Sequence, residues 1–92
     1  MKDLNTLRLE IDQLDRQLVA LFEQRMAVTE QVGRYKLANN LPVLDRSREE
    51  QVLAGKVALL NDPTLAADVT DLFEAIMAIS RRQQQALLDE NK

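Results

Sequence analysis

From Leu4 the apolar residues recur at steps of three and four: Leu4, Leu7, Ile11, Leu14, Leu18, Leu21, then Val28, Val32 and Tyr35. That period predicts one amphipathic helix from about Leu4 to Ala38. Asn39-Asn40-Leu41-Pro42 ends it, and Gly33 is its one weak position. Such a helix runs to roughly 35 residues, or ~52 Å at 1.5 Å per residue. A compact chain of 92 residues is only ~30 Å across. The helix outruns its own domain, so its seam is expected to continue against a second copy in a dimer of paired long helices.

A second helix opens within Asp45-Arg46-Ser47-Arg48-Glu49-Glu50. Ser47 with Glu50 fits a capping box, and Asp45 is a competing N-cap. Leu53, Val57 and Leu60 supply its apolar face. Asn61-Asp62-Pro63 stops this helix and starts a third, with Asp62 as N-cap and Pro63 at the first helical position. Leu65, Val69, Leu72, Phe73, Ile76 and Ile79 carry the third helix to about Leu88. The expected fold is all-α, with three helices, one of them very long, in a single domain over residues 1–92. No repeat, low-complexity segment or linker divides it.

Composition narrows the chemistry. The chain has no cysteine and no histidine. That removes thiolate nucleophiles, disulfides, the commonest general base and the commonest metal ligands. Any reaction here must use Arg, Lys, carboxylates, Ser and Gln. A net charge of −3 with only 3% aromatic residues argues against a nucleic-acid partner. No apolar run approaches ~20 residues and the first residues lack an apolar leader segment, so no membrane association and a cytoplasmic location are expected.

One cation breaks the pattern. The seam position after Leu21 is 25, and it holds arginine. A helix aims every seam residue at its packing partner, and a buried charge without an anion costs several kcal/mol. Arg25 therefore meets either an internal carboxylate, Asp45 or Glu49, or an anionic ligand. Other polar residues also continue apolar stripes. Phe73, Met77 and Ser80 lead by helical steps to Gln84, and Asp45, Arg48, Glu49 and Val52 share a face. The plain alternative for both sets is a solvated helix end. Arg8 and Lys36 flank the seam, where a surface cation commonly lays its stem over apolar area.

Spacing adds a constraint. Arg25 and Lys36 are separated by roughly 16 Å along the axis, close enough to converge on one ligand, whereas Arg8 lies roughly 25 Å from Arg25. In an antiparallel dimer the start of one helix passes the distal half of its partner. Arg8 could then join Arg25 and Lys36 of the other subunit, giving two equivalent shared sites.

Taken in order, Leu7-Arg8, Ile11, Leu14-Asp15, Arg25, Val32-Gly33-Arg34-Tyr35-Lys36, Pro42-Val43, Asp45-Arg46-Ser47-Arg48-Glu49, Leu72-Phe73, Ser80 and Gln84 form a pattern. The pattern resembles the all-helical chorismate mutases from Leu7 to Gln85. The resemblance implies an entwined homodimer with shared active sites and conversion of chorismate, a small dianion, to prephenate. In that family pattern Arg8 of one subunit and Arg25 of the other hold the substrate's two carboxylates. Lys36 and Gln84 donate to the ether oxygen of the breaking bond. Glu49 and the backbone at Asp45 receive the ring hydroxyl, and Arg48 and Ser80 complete the carboxylate shell. The reaction is an intramolecular Claisen rearrangement that requires no nucleophile, metal, cofactor or proton shuttle, so the resemblance implies no cofactor, in keeping with the residue inventory. Two rivals exist: an isochorismate-pyruvate lyase of the same fold, and a non-catalytic helical dimerisation module. The first is disfavoured by the full Asp45-x-x-Arg48-Glu49 match, the second by a cation in the seam.

Overall fold

A computed structural model describes residues 1–91 and is helical nearly throughout. Helix α1 spans Leu4–Ala38, α2 spans Arg46–Ala58 and α3 spans Ala66–Glu90, with a single 3-10 turn at Pro63–Leu65. The bounds of α1 are those its periodicity predicts. Asp3 caps its start, its side chain accepting from the Thr6 amide at 2.7 Å. That backbone bond, and a lesser one from the Thr6 side chain, hold the Asp3 carboxyl below the usual carboxylate range. At the far end Asn40 takes φ of 55°, a left-handed conformation that asparagine tolerates. The Leu41 amide then reaches the Lys36 carbonyl at 2.9 Å, and the Asn40 amide the Leu37 carbonyl at 3.4 Å. These two reversed bonds close the helix as a Schellman motif.

Of the two candidate caps for α2, Asp45 is used. Its side chain accepts from the Arg48 amide at 3.0 Å, and Ser47 lies inside the first turn. Asp62 caps the 3-10 turn that begins at Pro63, so proline opens this lead-in and α3 proper starts three residues later.

Helices α1 and α3 run in the same direction where they touch. Arg25 meets Ser80, Thr29 meets Gln83, and Gly33 meets Leu87. Gly33 is buried, and a Cβ there would lie 2.9 Å from both Gln84 Cγ and Leu87 Cδ1. The position that looked weak as a helix former is a point of close approach to α3. Helix α2 also packs on α3, through Val52, Met77 and a Lys56 ammonium 5.6 Å from the Phe73 ring centre.

The apolar core is small. Val52, Met77 and Leu87 are the buried apolar side chains among the described residues. The molecule measures 57 × 25 × 14 Å with a radius of gyration of 16.6 Å, against ~12 Å for a compact chain of this length. The excess is the first half of α1, where Leu14 and Leu18 are each 59% exposed. Among the described residues no helix is long and apolar enough to cross a membrane.

Candidate functional site

The distal half of α1, the start of α2 and the second half of α3 enclose a cleft of about 300 Å³. Seven of the eight residues expected at a site line it: Arg25, Lys36, Asp45, Arg48, Glu49, Ser80 and Gln84. Arg8 does not. It stands about 25 Å from Arg25 along the same helix at 1.5 Å per residue, exposed on the unpacked half of α1.

Ser80 and Gln84 are not on a solvated helix end. Each is only 6% exposed, Gln84 where α3 lies against Gly33 and Ser80 where it meets Arg25. The Gln84 amide is fixed at both atoms. Its Oε1 accepts from Lys36 Nζ at 3.1 Å, and its Nε2 donates to the Thr29 carbonyl at 3.3 Å. An ammonium beside Oε1 selects this amide orientation over its flipped alternative. Lys36 also donates to the Val43 carbonyl at 2.8 Å. Two of its three N–H donors are thereby used within the chain, leaving one for a ligand. Gln84 likewise retains a second N–H.

Arg25 is half-buried, and its Nη1 donates to Ser80 Oγ at 3.1 Å, while Ser80 donates to the Ile76 carbonyl. The internal ion pair conceivable for Arg25 does not form. Among the described residues no carboxylate lies within salt-bridge distance of Arg25, Lys36 or Arg48. Glu49 is instead held by Arg81, whose Nη1 lies 2.5 Å from each carboxylate oxygen. Asp45 spends its side chain on the α2 cap, which places its backbone at the mouth of the cleft.

The walls carry four cations (Arg25, Lys36, Arg48, Arg81) against two carboxylates (Asp45, Glu49), an excess of two positive charges. The apolar floor is Val28, Val32, Val43, Val52 and Met77. Such a pocket suits a compact dianion with an apolar body, held by directional donors and stabilised where negative charge develops.

Three contributors escape a reading of stripes alone. Thr29 and Gln83 form a polar clasp between α1 and α3: Thr29 Oγ1 donates to Gln83 Oε1 at 2.8 Å, and Gln83 Nε2 to the Met26 carbonyl at 2.9 Å. Arg81 sits in the run Arg81-Arg82-Gln83-Gln84-Gln85, which reads as a solvated end. Its four-residue step from Met77 was the available signal.

Fold and cleft together define an all-helical domain with a cation-rich cleft. Comparison with known proteins is specific. The family description "Chorismate mutase type II" matches residues 7–85. The bifunctional chorismate mutase/prephenate dehydratase of Escherichia coli K12 is 37% identical over 86 residues, covering 92% of this chain and 22% of that protein. The T-protein of Haemophilus influenzae is 35% identical over 71 residues, covering 77% and 19%. A solved structure, a conserved hypothetical protein from Pyrococcus furiosus, is similar with a TM-score of 0.73 at 34% identity, covering 88% of this chain and 93% of that one. The chain belongs to the chorismate mutase type II family. It spans about a fifth of the length of the curated relatives it matches.

Proposed function

We propose that this chain is a chorismate mutase domain, converting chorismate to prephenate by intramolecular rearrangement. The observation that carries the reading is the convergence of unpaired Arg25, Lys36 and Arg48 with buried Ser80 and Gln84 on one cleft. Family membership supports it. In this reading Arg25 and Arg48, with Ser80, hold the carboxylates, for which bidentate guanidinium is well shaped. The free N–H groups of Lys36 and Gln84 stabilise the negative charge that grows on the ether oxygen as its bond to carbon breaks. Glu49 and the Asp45 backbone take the ring hydroxyl. The reaction has one substrate and exchanges no proton, so catalysis reduces to holding the reactive conformer and to preorganised electrostatics.

The same reading includes a homodimer whose partner supplies Arg8. Its support is the apolar seam at Leu4, Leu7, Ile11, Leu14, Leu18 and Leu21, exposed along its whole length in a single chain. Each such side chain gains about 1.5–3 kcal/mol when fully buried. An antiparallel pairing of α1 helices would cover the seam and bring the partner's end of α1 to this cleft.

The test is to follow loss of the diene absorbance of chorismate, identify products by mass spectrometry, and run Arg25→Ala in parallel. Prephenate from the wild type alone is the expected result. No turnover from folded protein would overturn the assignment, and pyruvate with a hydroxybenzoate would replace it with lyase chemistry.

A further inference from the structure

Among the described residues the Glu49–Arg81 pair is the one ion pair in the cleft. Arg81 is on α3, directly after Ser80, and Glu49 is in the first turn of α2. A single guanidinium nitrogen, Nη1, sits between both carboxylate oxygens, with side-chain exposures of 36% for Arg81 and 24% for Glu49. Both residues, with Met77, also line a second, more open cleft of about 520 Å³ on the far side. The pair is therefore the wall between the two.

Consider the cleft without Arg81. Glu49 would be a carboxylate facing Arg25, Lys36 and Arg48, none of which has a carboxylate partner among the described residues. Long cationic side chains and a flexible glutamate would close on one another. Glu49 would then occupy the charges that a dianionic ligand needs, and would no longer present an acceptor. With Arg81 in place, Glu49 is neutralised from behind. One nitrogen between two oxygens leaves outer lone pairs able to accept from a hydroxyl.

We propose that Arg81 is a positioning residue: it ties Glu49 to the cleft wall, keeping that carboxylate off the substrate-binding cations and oriented to receive the substrate's ring hydroxyl. The inference rests on the chorismate mutase reading above. Arg81 acts through Glu49 and not on the substrate, so its effect must vanish when Glu49 has no charge to control.

The experiment is steady-state kinetics with chorismate on the wild type, Arg81→Gln, Arg81→Lys, Glu49→Gln and the Arg81→Gln/Glu49→Gln double variant. Helical circular dichroism is recorded for each. Because a Glu49 lying on the cations competes with the substrate for them and is displaced once the substrate binds, the loss falls on KM. Arg81→Gln should raise KM about tenfold with kcat changed less than about threefold, and Arg81→Lys should stay within about threefold of the wild type. In the Glu49→Gln background, adding Arg81→Gln should cost less than about twofold. If Arg81→Gln loses its helical signal, Arg81→Met, which keeps the aliphatic stem, takes its place in the cycle. Multiplicative losses in the double variant, or an unmoved KM in Arg81→Gln, overturn the inference while leaving the mutase reading intact. A folded wild type that leaves chorismate unchanged overturns both.

Discussion

The two halves of α1 belong to one continuous helix with one hydrophobic period, yet they meet different surroundings. Before position 25 the helix offers Leu7, Ile11, Leu14, Leu18 and Leu21, all exposed in the single chain. From Arg25 onward it lies on α3, and its contacts there are largely polar: Arg25 with Ser80, Thr29 with Gln83, Lys36 with Gln84. Among the described residues the apolar half has no packing partner, and the packed half carries the polar side chains that line the cleft. Apolar continuity therefore marks where a second copy would lie, and interruption of that continuity marks where a ligand would.

The largest effects should come from breaking the polar half. Lys36→Ala or Arg25→Ala should lower kcat/KM by about 10²–10³-fold or more, the range expected for a preorganised donor. Thermal unfolding should shift little, since both side chains are only half-buried. A large fall in melting temperature with modest loss of activity would reassign them as structural.

Next comes the apolar half. Leu14→Glu places a charge in the exposed seam. If the seam is a subunit interface, the variant should sediment as a smaller species and lose activity, although position 14 is remote from the cleft. Unchanged mass and unchanged rate would leave the seam without a partner.

Gln84→Glu sharpens the polar half further. An amide donates at any pH, whereas a carboxyl donates only when protonated. A carboxylate here would also draw the Lys36 ammonium to itself. Activity of the variant should fall about tenfold or more at neutral pH and recover in acid, while the wild type stays active through neutrality. Superimposable pH–rate profiles would remove Gln84 from the ether-oxygen role.

The smallest effect tests the junction of the halves with α3. Gly33→Ala gains about 1 kcal/mol of helix propensity, yet its Cβ would stand 2.9 Å from Gln84 Cγ and Leu87 Cδ1. The two effects oppose each other in stability, leaving a net change of about 1 kcal/mol or less. The displaced Gln84 should register instead, as a several-fold loss in kcat. Steady-state rates beside a thermal melt separate the two.

Local rules made much of this legible. Periodicity and the Asn39-Asn40-Leu41-Pro42 stop give the bounds of α1, and both Asp45 and Asp62 act as the caps their side chains suggest. The seam broken at Arg25, with the ordered family pattern, points to seven residues that share one cleft. What escaped depends on how helices are set against each other. Burial of Gln84 follows from the approach of α3 at Gly33 and that of Ser80 from its contact with Arg25, neither of which a single helix's period contains. Arg81 is one of two adjacent arginines, and only the position of α2 decides which of them meets Glu49.

Lys36 carries a last consequence. Its ammonium is moored to Val43 in the loop after α1 and to Gln84 on α3 before any ligand arrives. A free lysine side chain holds about 2 kcal/mol of rotamer entropy, which an encounter with ligand ordinarily removes. Here that disorder is surrendered as the chain folds. Rigidity at this cation is thus inherited from folding, and an arriving molecule would find it waiting in place.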